Sequence, residues 1–143
     1  MKDNPYRFIK IFTLIERPET YRGNISWYIY DDTNQNGVKD LWEKGMAGWK
    51  VCIDTNTNNT CEESTETFNL SNNDGYYEFD SLRTWTYTIL EIPHQNWIVT
   101  EPTPTNTNTS TTTPNPKRIT NLSNWQRVEN QNFGNYKSKW TKK

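Results

Sequence analysis

An all-β sandwich is the fold class the sequence predicts, on three observations. Short segments rich in aromatic and β-branched residues alternate with period two, Gly, Pro and Asn clusters separate them, and no segment sustains a helical period. From Gly23 onward the pattern predicts strands near residues 23–30, 48–54, 61–69, 75–80, 84–91, 96–101, 117–121 and 127–135.

Each element has a local cause. In the first, Ile25, Trp27 and Ile29 alternate with Asn24, Ser26 and Tyr28, so one face is apolar. Gly45 to Gly48 is a turn, and Trp49, Val51 and Ile53 begin the next alternating run. Asp74-Gly75 is a hairpin signal. Trp85, Tyr87 and Ile89 alternate with Thr84, Thr86 and Thr88, which predicts a half-buried strand with a Thr-lined outer face. Trp27, Trp49 and Trp85 are thereby expected on core faces. Residues 102–116 are a Pro- and Thr-rich low-complexity run that cannot build a core, read either as a solvated loop or as an O-glycosylated segment.

The connection after the first strand carries the chemistry. Asp32-Thr-Asn34-Gln-Asn36-Gly37-Val38-Lys39-Asp40-Leu41-Trp42-Glu43 fits the spacing D-x-[DN]-x-[DN]-G-x5-E of a calcium loop. Asp32, Asn34 and Asn36 place oxygens at positions 1, 3 and 5, and Gly37 permits the sharp turn at position 6. The Val38 carbonyl falls at position 7, Asp40 at position 9 and Glu43, a bidentate carboxylate, at position 12. The chain is rich in Asn, which favours chance matches. The joint placement of Asp32, Gly37, Asp40 and Glu43 nevertheless favours Ca2+ over an incidental turn. Strands, not amphipathic helices, flank the loop, so the ion is expected to rigidify a connection and not to open a helix pair.

A second stretch repeats part of this pattern. Asp54, Asn56 and Asn58 stand at positions 1, 3 and 5, Asn59 replaces the glycine, and Glu62 falls at position 9. Position 12 is Thr65, so the stretch reads either as a weak second metal site or as an ordinary Asn-rich turn. Cys52 and Cys61 flank it. A hairpin would bring them within reach of a disulfide, and the alternation puts Cys52 on the face opposite Val51 and Ile53. Two independent thiols are the other reading.

Four segments together resemble a known family: GNISWYIYDDTNQNGVKD, EKGMAGWKVCI, NDGYYEFDSL followed by TYTILEIP, and the terminal NFGNY. In order and spacing they are similar to the B-type repeat of serine-aspartate-repeat surface proteins, related to the collagen-adhesin B-type domain. The resemblance runs from Gly23 to Tyr136. It implies a seven-stranded prealbumin-like or immunoglobulin-like sandwich at the cell surface, acting as a calcium-rigidified stalk or spacer without catalysis. The oxidising exterior it implies favours the Cys52–Cys61 bridge. Some members close an isopeptide bond between a first-strand Lys and a last-strand Asn. Residues 23–30 contain no Lys, so that bond is not expected, although Asn130, Asn132 and Asn135 lie near the end.

Composition agrees with a small aromatic core. Hydrophobic residues make up 31% of the 143 residues, yet 14% are aromatic, and each ring buries much area. A net charge of −1 gives no field for nucleic acid, and no stretch has the length of a membrane span. The start of the chain does not read as a signal peptide. The expected organisation is an extension at 1–22, the sandwich at 23–137 and a tail at 138–143. In the extension, Tyr6, Phe8, Phe12 and Leu14 share one face of an extended chain, interrupted by Lys10, and Ile9, Ile11 and Ile15 share the other with Thr13. A strand apolar on both faces belongs inside a fold. It either docks on its own domain or completes the next subunit of a fibre by strand donation.

No constellation of catalytic residues is present, and the single histidine, His94, follows Pro93 at a strand end. The rival reading is a carbohydrate-binding or adhesin module, with Trp42, Trp97, Trp125 and Trp140 as a stacking platform. Candidate glycosylation sequons begin at Asn24, Asn58, Asn69, Asn108 and Asn121. In a chain this rich in Asn, Ser and Thr, that number arises by chance.

Overall fold

The computed structural model describes residues 22–102, 116–129 and 132–138. Nine strands run through them: β1 Arg22–Asp31, β2 Lys50–Asp54, β3 Phe68–Leu70, β4 Tyr76–Arg83, β5 Trp85–Ile92, β6 Trp97–Glu101, β7 Lys117–Leu122, β8 Arg127–Val128 and β9 Phe133–Lys137. One sheet has the order β4-β1-β9-β6, with β8 also paired to β1, and the other has the order β3-β2-β5-β7. The molecule is thus an all-β two-sheet sandwich. The apolar extension at residues 6–15 lies outside the described residues.

The period-two pattern builds the core. Ile25, Trp27 and Ile29 of β1 are fully buried and face Val51, Ile53, Ile89 and Leu122 of the opposite sheet. The Trp27 ring sits edge-on to Tyr77 at 5.8 Å and to Phe133 at 6.4 Å between centroids, a favoured aromatic geometry. β1 pairs antiparallel with β4 on one side and parallel with β8 and β9 on the other.

Several expectations need correction. The resemblance implies seven strands and the chain pattern marks eight, whereas the described residues form nine. The expected strand 127–135 is two pieces, β8 and β9, which run along the same edge of β1 with a break between them. The expected strand 61–69 shrinks to Phe68–Leu70, because residues 61–67 complete the loop that starts at Asp54. Asp74-Gly75 does not close a hairpin. It turns the corner from β3 in one sheet to β4 in the other. Gly75 adopts a φ of 77°, and a Cβ there would lie 2.2 Å from the Ile29 carbonyl oxygen. Trp85 is not a core residue. It is 72% exposed, because it opens β5 at the end of the sheet, opposite Leu122.

Candidate metal centre

Residues 32–43 leave the end of β1 and return at Gly45, which bridges to Tyr30. The loop is tied down at both ends. The Asp31 amide donates to the Lys44 carbonyl at 2.9 Å, and the Asp32 amide donates to the Asn135 carbonyl of β9 at 2.7 Å. Lys39 folds back over the outer face of β1, with its ammonium 5.8 Å from the Tyr28 ring centroid and 6.0 Å from that of Tyr30.

Inside the loop the predicted residues converge. The two carboxylate oxygens of Asp32 accept from the amides of Asn36 at 3.1 Å and Gly37 at 2.8 Å. The Asn34 side-chain oxygen accepts from the Asn36 amide, and the Asn36 oxygen accepts from the Val38 amide. The side-chain amides of Asn34 and Asn36 both donate to one Asp40 oxygen, at 2.7 and 3.1 Å. One Glu43 oxygen accepts from the Asp40 amide at 3.1 Å. Gly37 has a φ of 71°, as position 6 requires. The Val38 side chain points outward, which suits a residue that contributes only its carbonyl.

This donor set fits a hard cation on a specific observation. Asp32 is fully buried and Glu43 is 5% exposed, yet neither forms an ion pair among the described residues. The Glu43 Oε1 atom is also buried without a hydrogen-bond partner. Buried carboxylates without counter-charge are strongly unfavourable.

The second stretch, residues 54–66, repeats this geometry. An Asp54 oxygen accepts from the Asn59 amide at 3.0 Å. The Asn56 oxygen accepts from the Asn58 amide, and the Asn58 oxygen accepts from the Thr60 amide. The side-chain amides of Asn56 and Asn58 donate to Glu62 at 3.4 and 2.6 Å. Thr57 and Asn59 have φ of 60° and 61°, matching Gln35 and Gly37 at 60° and 71°. The ligand spacing did not mark Glu66, which falls one residue past position 12. Glu66 is 6% exposed and accepts from the amides of Thr55 at 2.7 Å and Glu62 at 3.1 Å. The Glu62 contact matches that of Glu43 with Asp40. Burial works against ionisation of Glu66, but the hydrogen bonds from Thr55 and Glu62 hold its carboxyl below the ordinary value.

Cys52 and Cys61 form a disulfide with a Cα–Cα distance of 5.9 Å. It is not a cross-strand bridge, since Cys52 pairs with Phe68 in the sheet and Cys61 lies in the loop. Cys52 lies outside the core cluster, as the alternation predicts, but is fully buried. The Cys52 sulfur is 3.7 Å from a Glu66 oxygen.

A third buried carboxyl lies elsewhere. Glu91 of β5 is fully buried, and its Oε1 accepts from the Asn135 side-chain amide at 2.6 Å. Burial pushes its carboxyl up to about 8, with the Asn135 hydrogen bond opposing. The Tyr77 hydroxyl is raised by burial and by Glu91, with Arg118 opposing. Asn135 therefore links this neutral acid to the start of the Asp32 loop. β1 offers it no amine, since residues 22–31 contain no Lys.

The remaining candidates are dispersed. Trp97 packs edge-on against the buried Trp49, which also stacks on His94. Trp42, in the loop after β1, and Trp125, beside the start of β1, are exposed. They flank opposite ends of β1, and no ring contact joins them among the described residues. Trp140 and the sequon at Asn108 lie outside the described residues. The side-chain amides of Asn24 and Asn69 bond to Glu78, and that of Asn58 to Glu62. The Asn121 oxygen accepts from the Thr86 hydroxyl.

A two-sheet sandwich whose first strand connection is an oxygen-lined acidic loop defines a B-type surface repeat module. The chain belongs to the SdrD B-like domain family, whose sequence profile matches residues 23–135. This family is non-catalytic, and its B repeats are calcium-binding domains. The chain is 34% identical over 70 residues to serine-aspartate repeat-containing protein F of Staphylococcus epidermidis, which covers 49% of this chain and 4% of that protein. It is 34% identical over 71 residues to serine-aspartate repeat-containing protein D of Staphylococcus aureus strain Newman, covering 50% of this chain and 5% of that one. Colossin-B of Dictyostelium discoideum is 38% identical over 72 residues, covering 50% of this chain and 2% of that protein. The chain thus spans a small fraction of the curated relatives it matches. Among solved structures, the minor pilin GBS52 of Streptococcus agalactiae superposes with a TM-score of 0.51 at 13% identity, over 85% of this chain and 47% of that one. The Bacillus anthracis TIE protein superposes with a TM-score of 0.51 at 13% identity, over 81% of this chain and 17% of that one. These two likenesses concern the fold. The B-type repeat to which the chain corresponds is a structural module of surface proteins.

Proposed function

We propose that the chain is a non-enzymatic structural module that calcium rigidifies at residues 32–43, serving as a subunit of a surface fibre or stalk. The observation that carries the reading is the buried, unpaired pair Asp32 and Glu43, with Glu43 Oε1 lacking any partner. Asp32, Asn34, Asn36, the Val38 carbonyl, Asp40 and Glu43 would hold the ion. Bound calcium supplies the positive charge these carboxylates lack, and the chain's own residues orient the ligands through the loop amides. Calorimetry tests it. The melting temperature is expected to rise in calcium and fall in chelator, by mass action on the native state. Equal values would refute it.

The proposal extends to assembly. Residues 6–15 leave their own subunit and add a strand to the next copy. Three features support this. The segment is apolar on both faces. Arg22, the first described residue after it, pairs with Arg83 at the end of the edge strand β4. A groove lined by Phe68, Leu70, Tyr77, Phe79 and Leu82 lies between β3 and β4, the edge strands of the two sheets. Such head-to-tail insertion is heterologous and generates a filament. Deleting residues 1–16 is expected to leave a folded monomer that does not polymerise. If the truncated protein fails to fold, the strand belongs to its own domain. If it still forms fibres, assembly uses another surface.

A further inference from the structure

We propose that residues 54–66 form a second calcium site, in which Glu66 takes the place that Glu43 holds in the first loop. The Cys52–Cys61 disulfide ties the start of the loop to the residue before its position-9 ligand. This rests on the calcium reading of residues 32–43 only for the comparison of the two loops.

Four observations carry it. First, the hydrogen bonds correspond position by position: the position-1 carboxylate takes the amide at position 6, the oxygens at 3 and 5 take the amides two residues on, and the side-chain amides at 3 and 5 both reach position 9. Second, the residue at position 12 is Thr65, but the chain makes one extra step. Glu66 then delivers its carboxylate to the amide of position 9, as Glu43 does. Third, Asp54 is 3% exposed and its Oδ1 has no hydrogen-bond partner, although its Oδ2 faces into the loop on the Asn59 amide. Fourth, neither Asp54 nor Glu66 forms an ion pair among the described residues. Two buried carboxyl groups in one loop with no positive partner present a place that a divalent cation fills.

The cation is a hard one. The donors are Asp54, the side-chain oxygens of Asn56 and Asn58, the Thr60 carbonyl, Glu62 and Glu66, all oxygen. The two sulfurs lie within 4.8 Å of Glu66 but are bonded to each other, so they are not thiolate ligands. Their role is positional. Cys52 stands two residues before Asp54 and Cys61 one before Glu62, so the bridge pins the start of the loop to its position-9 ligand. A preformed loop loses less freedom on binding.

The test is isothermal titration of the oxidised full chain with calcium, for wild type, Glu43→Gln, Asp54→Asn and Glu66→Gln. Wild type is expected to bind at two loops. Glu43→Gln should lose one ion and keep the other, and Asp54→Asn and Glu66→Gln should each lose the other one. Amide shifts on titrating wild type with calcium should move in both 32–43 and 54–66, which keeps the question open to measurement if a variant does not fold. Reduction of the disulfide should weaken the second site by about tenfold and leave the first unchanged. A single ion lost only in Glu43→Gln, with residues 54–66 unmoved, overturns the proposal and leaves the first site standing. A single ion lost only in Asp54→Asn and Glu66→Gln upholds it and refutes the first.

Discussion

Replacing Glu91 by Gln should remove a pH dependence of stability that the wild-type protein carries. Glu91 is fully buried and its carboxyl is pushed up to about 8 from an ordinary value of 4.5. In the unfolded chain it releases its proton near the ordinary value, so between the two pH values the folded state holds the extra proton. Its contribution to stability is fully present below about pH 4.5 and is lost as pH rises through about 8. Each unit of that interval is worth about 1.4 kcal/mol, so between pH 5.5 and 8.5 the loss is on the order of 3 kcal/mol. In a domain of this size that corresponds to a fall in Tm of roughly 10 °C. Gln keeps the acceptor for Asn135 and carries no charge at any pH. Urea unfolding at pH 5.5, 6.5, 7.5 and 8.5, in excess calcium, measures both proteins, and every other titration is common to the two. The variant is expected to be flatter across the series and more stable than wild type at pH 8.5. Equal slopes for the two proteins, or a wild type that gains stability over this range, would refute the reasoning.

Three further outcomes follow from the packing. Trp27→Ala empties the centre of the ring cluster with Tyr77 and Phe133 and should lower stability by about 3–5 kcal/mol in denaturant unfolding. Gly75→Ala places a methyl against the Ile29 carbonyl at a positive φ and should abolish the folded state's near-ultraviolet signature or drop Tm sharply. Cys52→Ala/Cys61→Ala opens a short loop and should lower stability by about 2–3 kcal/mol, and intact mass after alkylation without reductant should show no modified thiol in wild type.

What was legible in the sequence was the part set by local rules. Ile25, Trp27 and Ile29 declared their face by alternation, and the first loop declared itself by ligand spacing, since backbone turns there require Asn, Gly and Asp at fixed offsets. The errors arose where distant chain segments decide. Trp85 obeys the same alternation as Ile89, but it is the first residue of β5 and is exposed there, and alternation says nothing of where the core ends along a strand. Asp74-Gly75 has hairpin chemistry, yet its strands join different sheets, because β3 pairs with β2 and β4 with β1. Glu66 escaped because a single extra residue breaks a spacing rule while the loop still delivers its carboxylate to the same amide. The Glu91–Asn135 contact joins residues 44 apart and carries no short-range signal.

The strands nearest the two ends of the sandwich, β1 and β9, lie side by side and parallel, with Ile29, Tyr30 and Asp31 opposite Phe133, Gly134 and Asn135. Tension applied through the two ends of the domain pulls these neighbours in opposite directions along their length. Their shared hydrogen bonds are then loaded together in shear, not opened one at a time as in a peeled hairpin. The Asp32 amide, bonded to the Asn135 carbonyl at 2.7 Å, extends that seam into the acidic loop. A cation held as proposed for residues 32–43 would tighten the same seam that bears the load. Single-molecule stretching should record a higher rupture force in calcium than in chelator, and a module built this way resists being drawn out along the axis on which a stalk is pulled.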